Sequence, residues 1–506
     1  MRRSTRAVVP VAALGILLAG CTGESTAGSG NTGPGGKGTL TLGMSADIQG
    51  WDPSNQPGYQ GWAGEAVWDT LVQCDEFGKP QPDIADKWSI SKDSRSFTAH
   101  IRSDQTFSDG SPVDSAAVAA TFKYVASHGG AQGDYKGIKV ETPDAQNVTI
   151  TWPDPQPLIV LRVCAPKITT KALLDSGKVN DTPVGSGPYT LDKAGATRGS
   201  VYTFTRNDKN WNAANYPYKK LVLKVIESET AAVSALKTGQ IDGTLISAQN
   251  YNEVKASGQK IVSLKGVTTR LLLTDYQGKK VPALGSVDVR RAINMVFDKQ
   301  AMVKNLYQGH GEPSSQIFRP GSSAYIDGMA DPYPYDVEAA KALMKKAGHQ
   351  DGFTIELPTM AGQNFERLMP YVKQQLGLLN IKVKQVALSG ANAIGDLLSG
   401  KYPVVLWQLG NLGESLADIN TVVLSTGYWN LSHEKDATVD RLWKRILTGD
   451  ESQRKTAQQE INKYIVDQAW FAPMVNPEGF YAHNPKVTVD HVSDFEALTP
   501  KLRDFK

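Results

Sequence analysis

The sequence predicts an α/β protein with a β-rich portion towards its N-terminal side, on three observations. The chain has 506 residues, which at about 150 residues per domain leaves room for about three domains or one large core with insertions. Helical and strand patterns alternate in the C-terminal half, as they do in α/β domains. Between residues 83 and 113, short strand-like stretches are instead punctuated by turn signals.

Composition sets the broad class. With 40% apolar and 21% charged residues, the chain is neither disordered nor a polytopic membrane protein. The net charge of +3 comes from 54 Lys+Arg against 51 Asp+Glu, and Arg2, Arg3 and Arg6 supply the whole excess. A neutral body has no electrostatic footprint for a phosphate backbone, so nucleic acid is not an expected partner.

From the N-terminus, the three arginines precede an apolar run from Ala7 to Leu18 that is too short to span a bilayer; residues 1–20 read as a signal peptide. The run ends in Leu18-Ala19-Gly20-Cys21, which resembles the lipobox of bacterial lipoproteins. That resemblance implies cleavage before Cys21 and a diacylglycerol on its thiol. Arg2-Arg3 leaves both general secretion and twin-arginine export open. Residues 22–38 carry seven glycines and no large apolar side chain, so 21–38 read as a flexible tether. The protein is expected outside the cytoplasm, held by lipidated Cys21 at the outer face of the cytoplasmic membrane. Cys74 and Cys164 then remain as an even pair in an oxidising compartment, where a disulfide is expected.

The folded body begins with Gly38-Thr39-Leu40-Thr41-Leu42-Gly43-Met44, alternating as a half-buried strand does. Phe97-Thr98-Ala99-His100-Ile101 reads as another strand, and Ser108-Asp109-Gly110-Ser111-Pro112 is the clearest turn. Asp288 is placed as the N-cap of a helix whose Val289, Ala292, Ile293, Val296 and Phe297 form one apolar face. Asp298 opens a second helix that stops at Gly309, and Asp336 a third that stops at Gly348. Directly afterwards Phe353-Thr354-Ile355-Glu356-Leu357 alternates strictly, and Ile381-Lys382-Val383 follows an apolar helical segment ending at Leu379. No repeat of solenoid period is present.

Motifs for covalent chemistry are missing. There is no G-x-S-x-G elbow, no glycine-rich phosphate loop and no C-x-x-C, and the seven histidines are scattered without zinc spacing. No cofactor or metal is expected. Because a glycosidase needs only two carboxylates about 5–9 Å apart, a secreted carboxylate-dependent hydrolase stays as the alternative from a different class. His433, beside Tyr428 and Trp429, reads as a loop histidine rather than a ligand contact.

Ordered motifs across about 470 residues carry a family resemblance. They include Trp51-Asp52-Pro53, Trp68-Asp69-Thr70-Leu71-Val72, Pro82-Asp83-Ile84-Ala85-Asp86-Lys87-Trp88 and Phe107-Ser108-Asp109-Gly110-Ser111-Pro112-Val113. Further on come Gly185-Ser186-Gly187-Pro188-Tyr189, Leu236-Lys237-Thr238-Gly239-Gln240-Ile241-Asp242 and Val289-Arg290-Arg291-Ala292-Ile293. Together they resemble bacterial extracellular solute-binding proteins, family 5, the peptide/nickel type that serves ABC importers. The motifs themselves read as turns, tight leads into strands and helix caps, so they identify the family without forming its pocket.

The resemblance implies a two-lobed, periplasmic-binding-protein-like α/β fold (class II, cluster C) with an inserted β-rich domain. Lobe I takes residues 39–67, 185–272 and 472–506, the insertion 68–184, and lobe II 273–471. It also implies a non-enzymatic monomer that closes over a solute and delivers it to ABC permease subunits. In peptide-binding members an Asp in lobe II pairs with the ligand's amine; here Asn411 takes that position in Leu406-Trp407-Gln408-Leu409-Gly410-Asn411-Leu412-Gly413-Glu414, or Glu414 substitutes in another register. Asn cannot neutralise an ammonium. Asp275-Tyr276-Gln277 is a second departure, where members often carry Asn. Trp51, Trp62, Trp407 and Trp429 fall in segments that line the cleft of this fold, with faces suited to stacking. An oligopeptide is the first expectation for the solute, with an oligosaccharide or a metal chelate or siderophore as alternatives.

Overall fold

The computed structural model describes residues 37–56, 61–75, 78–129, 132–360, 365–388, 393–410, 415–490 and 499–506. Cys21, Asn411 and Glu414 lie outside the described residues. Among the described residues no helix is long and apolar enough to cross a membrane.

The alternating segment at the start of the body forms the strand Lys37–Met44, which takes in the last two residues of the expected tether. It lies inside a seven-stranded sheet in the order Lys260–Leu264, Gly479–His483, Gly243–Ile246, Lys37–Met44, Tyr218–Val225, Val201–Arg206 and Tyr189–Thr197. Lys37–Met44 runs parallel to both neighbours, and the remaining pairings are antiparallel. Aromatic side chains dominate one packing layer of this first lobe, among them Trp51, Trp62, Trp68, Phe204, Tyr481 and Phe505. Val233, Leu236, Ile241 and Phe480 belong to a separate one.

The second lobe is built on a sheet in the order Gly311–Pro313, Phe471–Pro477, Val267–Leu272 and Val405–Gly410, with a parallel pair formed by Thr354–Met360 and Lys382–Leu388. The three expected helices are present here. Val287–Met295 starts before Asp288, which sits in its first turn and pairs with Lys346 at 3.0 Å instead of capping. Asp298 and Asp336 do cap, each accepting the backbone N–H three residues on at 2.9 Å. Gly309 and Gly348 stop those helices at φ of +85° and +76°, values that an L side chain rarely adopts.

The strand pairing moves two expected boundaries. Val267–Leu272, assigned above to lobe I, pairs with Val405–Gly410 and with Phe471–Pro477 in the second lobe's sheet. The chain therefore crosses between lobes at Lys265-Gly266 and at Glu478, several residues before 272 and after 472. The apolar run from Leu271 to Leu273 is buried in the second lobe, which is why the crossover precedes it.

The insertion carries its own sheet, Ala85–Ile90, Ser96–Ile101, Asn147–Thr151 and Lys139–Glu141 in that order, with the helix Ser115–Val125 packed into the same core. Cys74 and Cys164 are bonded to each other within it, with Cα atoms 5.8 Å apart.

Three quoted motifs meet where the insertion leaves lobe I. Asp69 accepts from Ser186 Oγ at 2.9 Å and Asn210 Nδ2 at 3.2 Å. Asp83 accepts from the Thr70 N–H and hydroxyl, both at 2.8 Å, and from Trp211 Nε1 at 3.3 Å. Burial raises the pKa of both carboxyls, and the Asp83 charge raises Asp69 further. Desolvation lowers the Lys167 amine, which Asp83, Glu65 and Asp69 hold towards its charged form. A Cβ on Gly185 would stand 1.8 Å from the Val67 carbonyl oxygen, and one on Gly187 2.6 Å from the Val67 carbonyl carbon; the glycines are there for this approach.

Two other motif features are structural as well. Arg290 donates to the carbonyls of Gln468, Tyr276, Leu284 and Gly285 at 2.7–3.2 Å. Asp275 accepts the N–H groups of Lys279, Lys280 and Val281 at 2.6–2.9 Å, so that departure holds a loop in lobe II.

Candidate functional site

Only the crossovers at Lys265-Gly266 and Glu478 carry the chain between lobes among the described residues, and two cavities flank them. The larger, about 360 Å³, takes Ser247 and Gln249 from lobe I and Tyr307, Arg367 and Gln408 from lobe II, with Glu478 between. That volume suits a small solute. The smaller, about 240 Å³, is lined by Lys265, Glu312, Arg319 and Asn476, and shares Val267, Pro477 and Glu478 with the first.

One polar chain fixes the side of the larger cavity. Gln408 Nε2 donates to Thr269 Oγ1 at 2.9 Å, and that hydroxyl lies 3.1 Å from the Tyr307 phenol oxygen. Burial raises the Tyr307 pKa, so the phenol stays neutral and keeps its proton for hydrogen bonding. Near the crossovers the lobes also touch directly, where Gln249 Nε2 donates to the Leu306 carbonyl at 3.2 Å.

Successive side chains of a strand point to opposite faces, so Trp407 leaves the sheet opposite to Gln408. Its ring centroid lies 5.1 Å from Phe365 and 5.2 Å from Trp429, and Trp429 lies 6.4 Å from Tyr428. This row runs from the half-buried Trp407 to Tyr428, which is 53% exposed. Desolvation, then the charges of Asp134 and Asp418, raise the Tyr428 pKa. Beside Trp407 in register stands Arg270, 1% exposed, whose pKa burial lowers to about 10 against the opposing charge of Asp418.

The four tryptophans therefore divide. Trp407 and Trp429 share the lobe II row. Trp51 packs against Trp68, Tyr202 and Phe204, and Trp62 against Tyr481 and Phe505 while donating to the Pro500 carbonyl at 2.7 Å; both are buried in the lobe I core. His433 is exposed and bonds the Ser425 carbonyl at 2.9 Å. Sequence reasoning passed over Phe365, Arg270, Thr269, Tyr307 and Gln408. Only Arg270 carried a usable signal, a charge inside an otherwise apolar or Thr-containing strand.

Among the described residues no cluster of three or more His, Cys, Asp or Glu could hold a metal ion. The family model for bacterial extracellular solute-binding proteins, family 5 (middle), matches residues 79–428. A curated relative, the probable D,D-dipeptide-binding periplasmic protein DdpA of Escherichia coli, is 25% identical over 481 residues, covering 89% of this chain and 91% of its own. Among solved structures, AgaA from A. tumefaciens R10, in complex with agropinic acid, is similar with a TM-score of 0.82 at 24% identity, covering 93% of this chain and 98% of that one. The oligopeptide-binding protein AppA of Bacillus subtilis, in complex with a nonapeptide, gives 0.81 at 18% identity, covering 94% and 99%. This breadth of match sets aside the hydrolase alternative: the chain belongs to the bacterial extracellular solute-binding proteins, family 5, and is a binding protein rather than an enzyme.

Proposed function

We propose that this protein, tethered to the membrane through a lipid on Cys21, captures an oligopeptide as a monomer between its lobes and delivers it to the permease of an ABC importer. The observation that carries the reading is the 360 Å³ cavity lined from both lobes at a joint of two crossovers. Such a joint lets closure bury solute on both sides, and bound solute shifts the population towards the closed form that a permease can recognise. The dipeptide and nonapeptide named for DdpA and AppA favour a peptide.

The aromatic row favours one second reading, a sugar-like solute stacked on Trp407 and Trp429. Native mass spectrometry of the full chain, purified gently from its own host, separates the two. A peptide released on denaturation supports the first reading; a sugar or a chelate replaces it.

A further inference from the structure

We propose that His310 is a proton-operated latch between the lobes: carrying its proton, it fastens lobe II to the Glu478 crossover and to lobe I, and on losing it the lobes are freer to part. This rests on the interlobe reading above and names a regulation of that site.

Position carries the inference. His310 belongs to lobe II, in the turn between the helix Lys299–Leu306 and the strand Gly311–Pro313, yet its side chain reaches out of that lobe. Its Nδ1 lies 3.4 Å from Oε2 of Glu478, the residue at which the chain returns to lobe I. Its ring centroid lies 4.4 Å from that of Tyr251 and 4.9 Å from that of Phe480, which stand in the lobe I helix Ala248–Ala256 and strand Gly479–His483. The turn fixes the ring in place. The His310 N–H donates to the Tyr307 carbonyl at 2.8 Å, Gly309 and Gly311 take φ of +85° and +141°, and a Cβ on Gly311 would stand 2.8 Å from the Asn476 carbonyl oxygen. Torsion of the crossover at Glu478 therefore moves its carboxylate against a fixed imidazole, and the pair senses the angle between the lobes.

Each partner favours imidazolium over imidazole. A carboxylate attracts the cation, and so do aromatic rings whose centroids lie within about 6 Å; without its charge the ring keeps packing and a weak hydrogen bond. Imidazole is the side chain whose charge ordinarily changes between about pH 5 and 8. The His310 and Glu478 side chains are 23% and 28% exposed, so protons reach the pair while water screens it only in part. The charged groups on the elements packed around His310 do not duplicate this link. Lys255 approaches the Tyr251 ring at 5.4 Å and opposes the imidazolium, while Glu253 is held by Lys237 at 2.9 Å. Lys304 and Glu312 lie on the flanking helix and strand of lobe II and travel with His310. Lys265, on the other crossover, shares the smaller cavity with Glu478 and is the competing cation for it. His483 ends the strand of Phe480, and burial lowers its pKa.

Small-angle X-ray scattering of the full chain without solute, at about pH 5.5 and about pH 8, reads the fraction of molecules with the lobes parted. From the lower pH to the higher, the ratio of the described arrangement to the parted one is expected to fall about fivefold in wild type. His310→Gln is expected to scatter at both pH values as wild type does at the higher one, and Glu478→Gln to keep only the part of the response owed to the rings. Glu65→Gln removes a carboxyl that burial raises to about 7 inside lobe I, and is expected to respond as wild type does. A wild type whose scattering ignores pH overturns the proposal. So does a response that survives undiminished in His310→Gln or Glu478→Gln, or one that disappears in Glu65→Gln. No solute enters the measurement, so failure of the peptide reading shows separately, in the mass of the released solute.

Discussion

The joint between lobe I and the insertion and the face between lobe I and lobe II treat polar groups in opposite ways. At the joint, Asp69, Asp83, Ser186, Asn210 and Thr70 satisfy one another at 2.8–3.2 Å with glycines pressed against the Val67 backbone. At the interlobe face, cavities open beside the crossovers, and in the second lobe's sheet the buried Arg270 has an Nε without a hydrogen-bond partner. A saturated network rigidifies, whereas a surface that must exchange its partners keeps bonding capacity in reserve. Rigid attachment and ligand exchange are thus assigned to different seams of one molecule.

The largest effect that would break this contrast is at Gly187. Gly187→Ala is expected to lose more than about 3 kcal/mol of stability in urea unfolding, because its Cβ meets backbone atoms that cannot yield; a mild effect would mean the joint is loose. Next, Cys164→Ser should cost about 2–4 kcal/mol while leaving solute affinity per folded molecule unchanged. Altered affinity there would couple the insertion's interior to the cleft.

Glu65 sharpens the comparison through pH. Burial raises its pKa from 4.5 to about 7, against the opposing hydrogen bond from the Leu502 N–H. The folded state therefore binds this proton more tightly than the unfolded chain, so its contribution is full below about pH 4.5 and falls as pH rises to about 7. Glu65→Gln should flatten that fall, by up to about 3 kcal/mol, in melts across the window. Smallest is Trp407→Ala, expected to weaken solute binding by more than about 1 kcal/mol in calorimetry without altering the pH profile of stability.

The fold was legible where residues adjacent in sequence do adjacent work. Asp298 and Asp336 cap as read, and the Gly185-Ser186-Gly187 motif marks a backbone contact that permits nothing larger. The Asp288 cap failed because the helix begins two residues earlier than expected, at Val287, which turned its carboxylate to Lys346. The boundaries at 272 and 472 failed because sheet membership depends on partners more than a hundred residues away. The site was less legible for the same reason. Four tryptophans look alike in sequence, yet Trp51 and Trp62 belong to a packed core and Trp407 and Trp429 to a row. The strand around Arg270 marks a buried charge, but not whether its donors find acceptors.

Because the chain leaves lobe I at residue 68 and returns to it by 185, through a joint with no slack, the molecule should behave as two moving bodies rather than three. This makes it a natural optical gauge. A donor dye on Ser115–Val125 and an acceptor on Glu229–Lys237 would ride together and stay silent, whereas moving the acceptor to Ala437–Thr448 would turn occupancy of the cleft into a change in energy transfer, with the first pair as its internal reference.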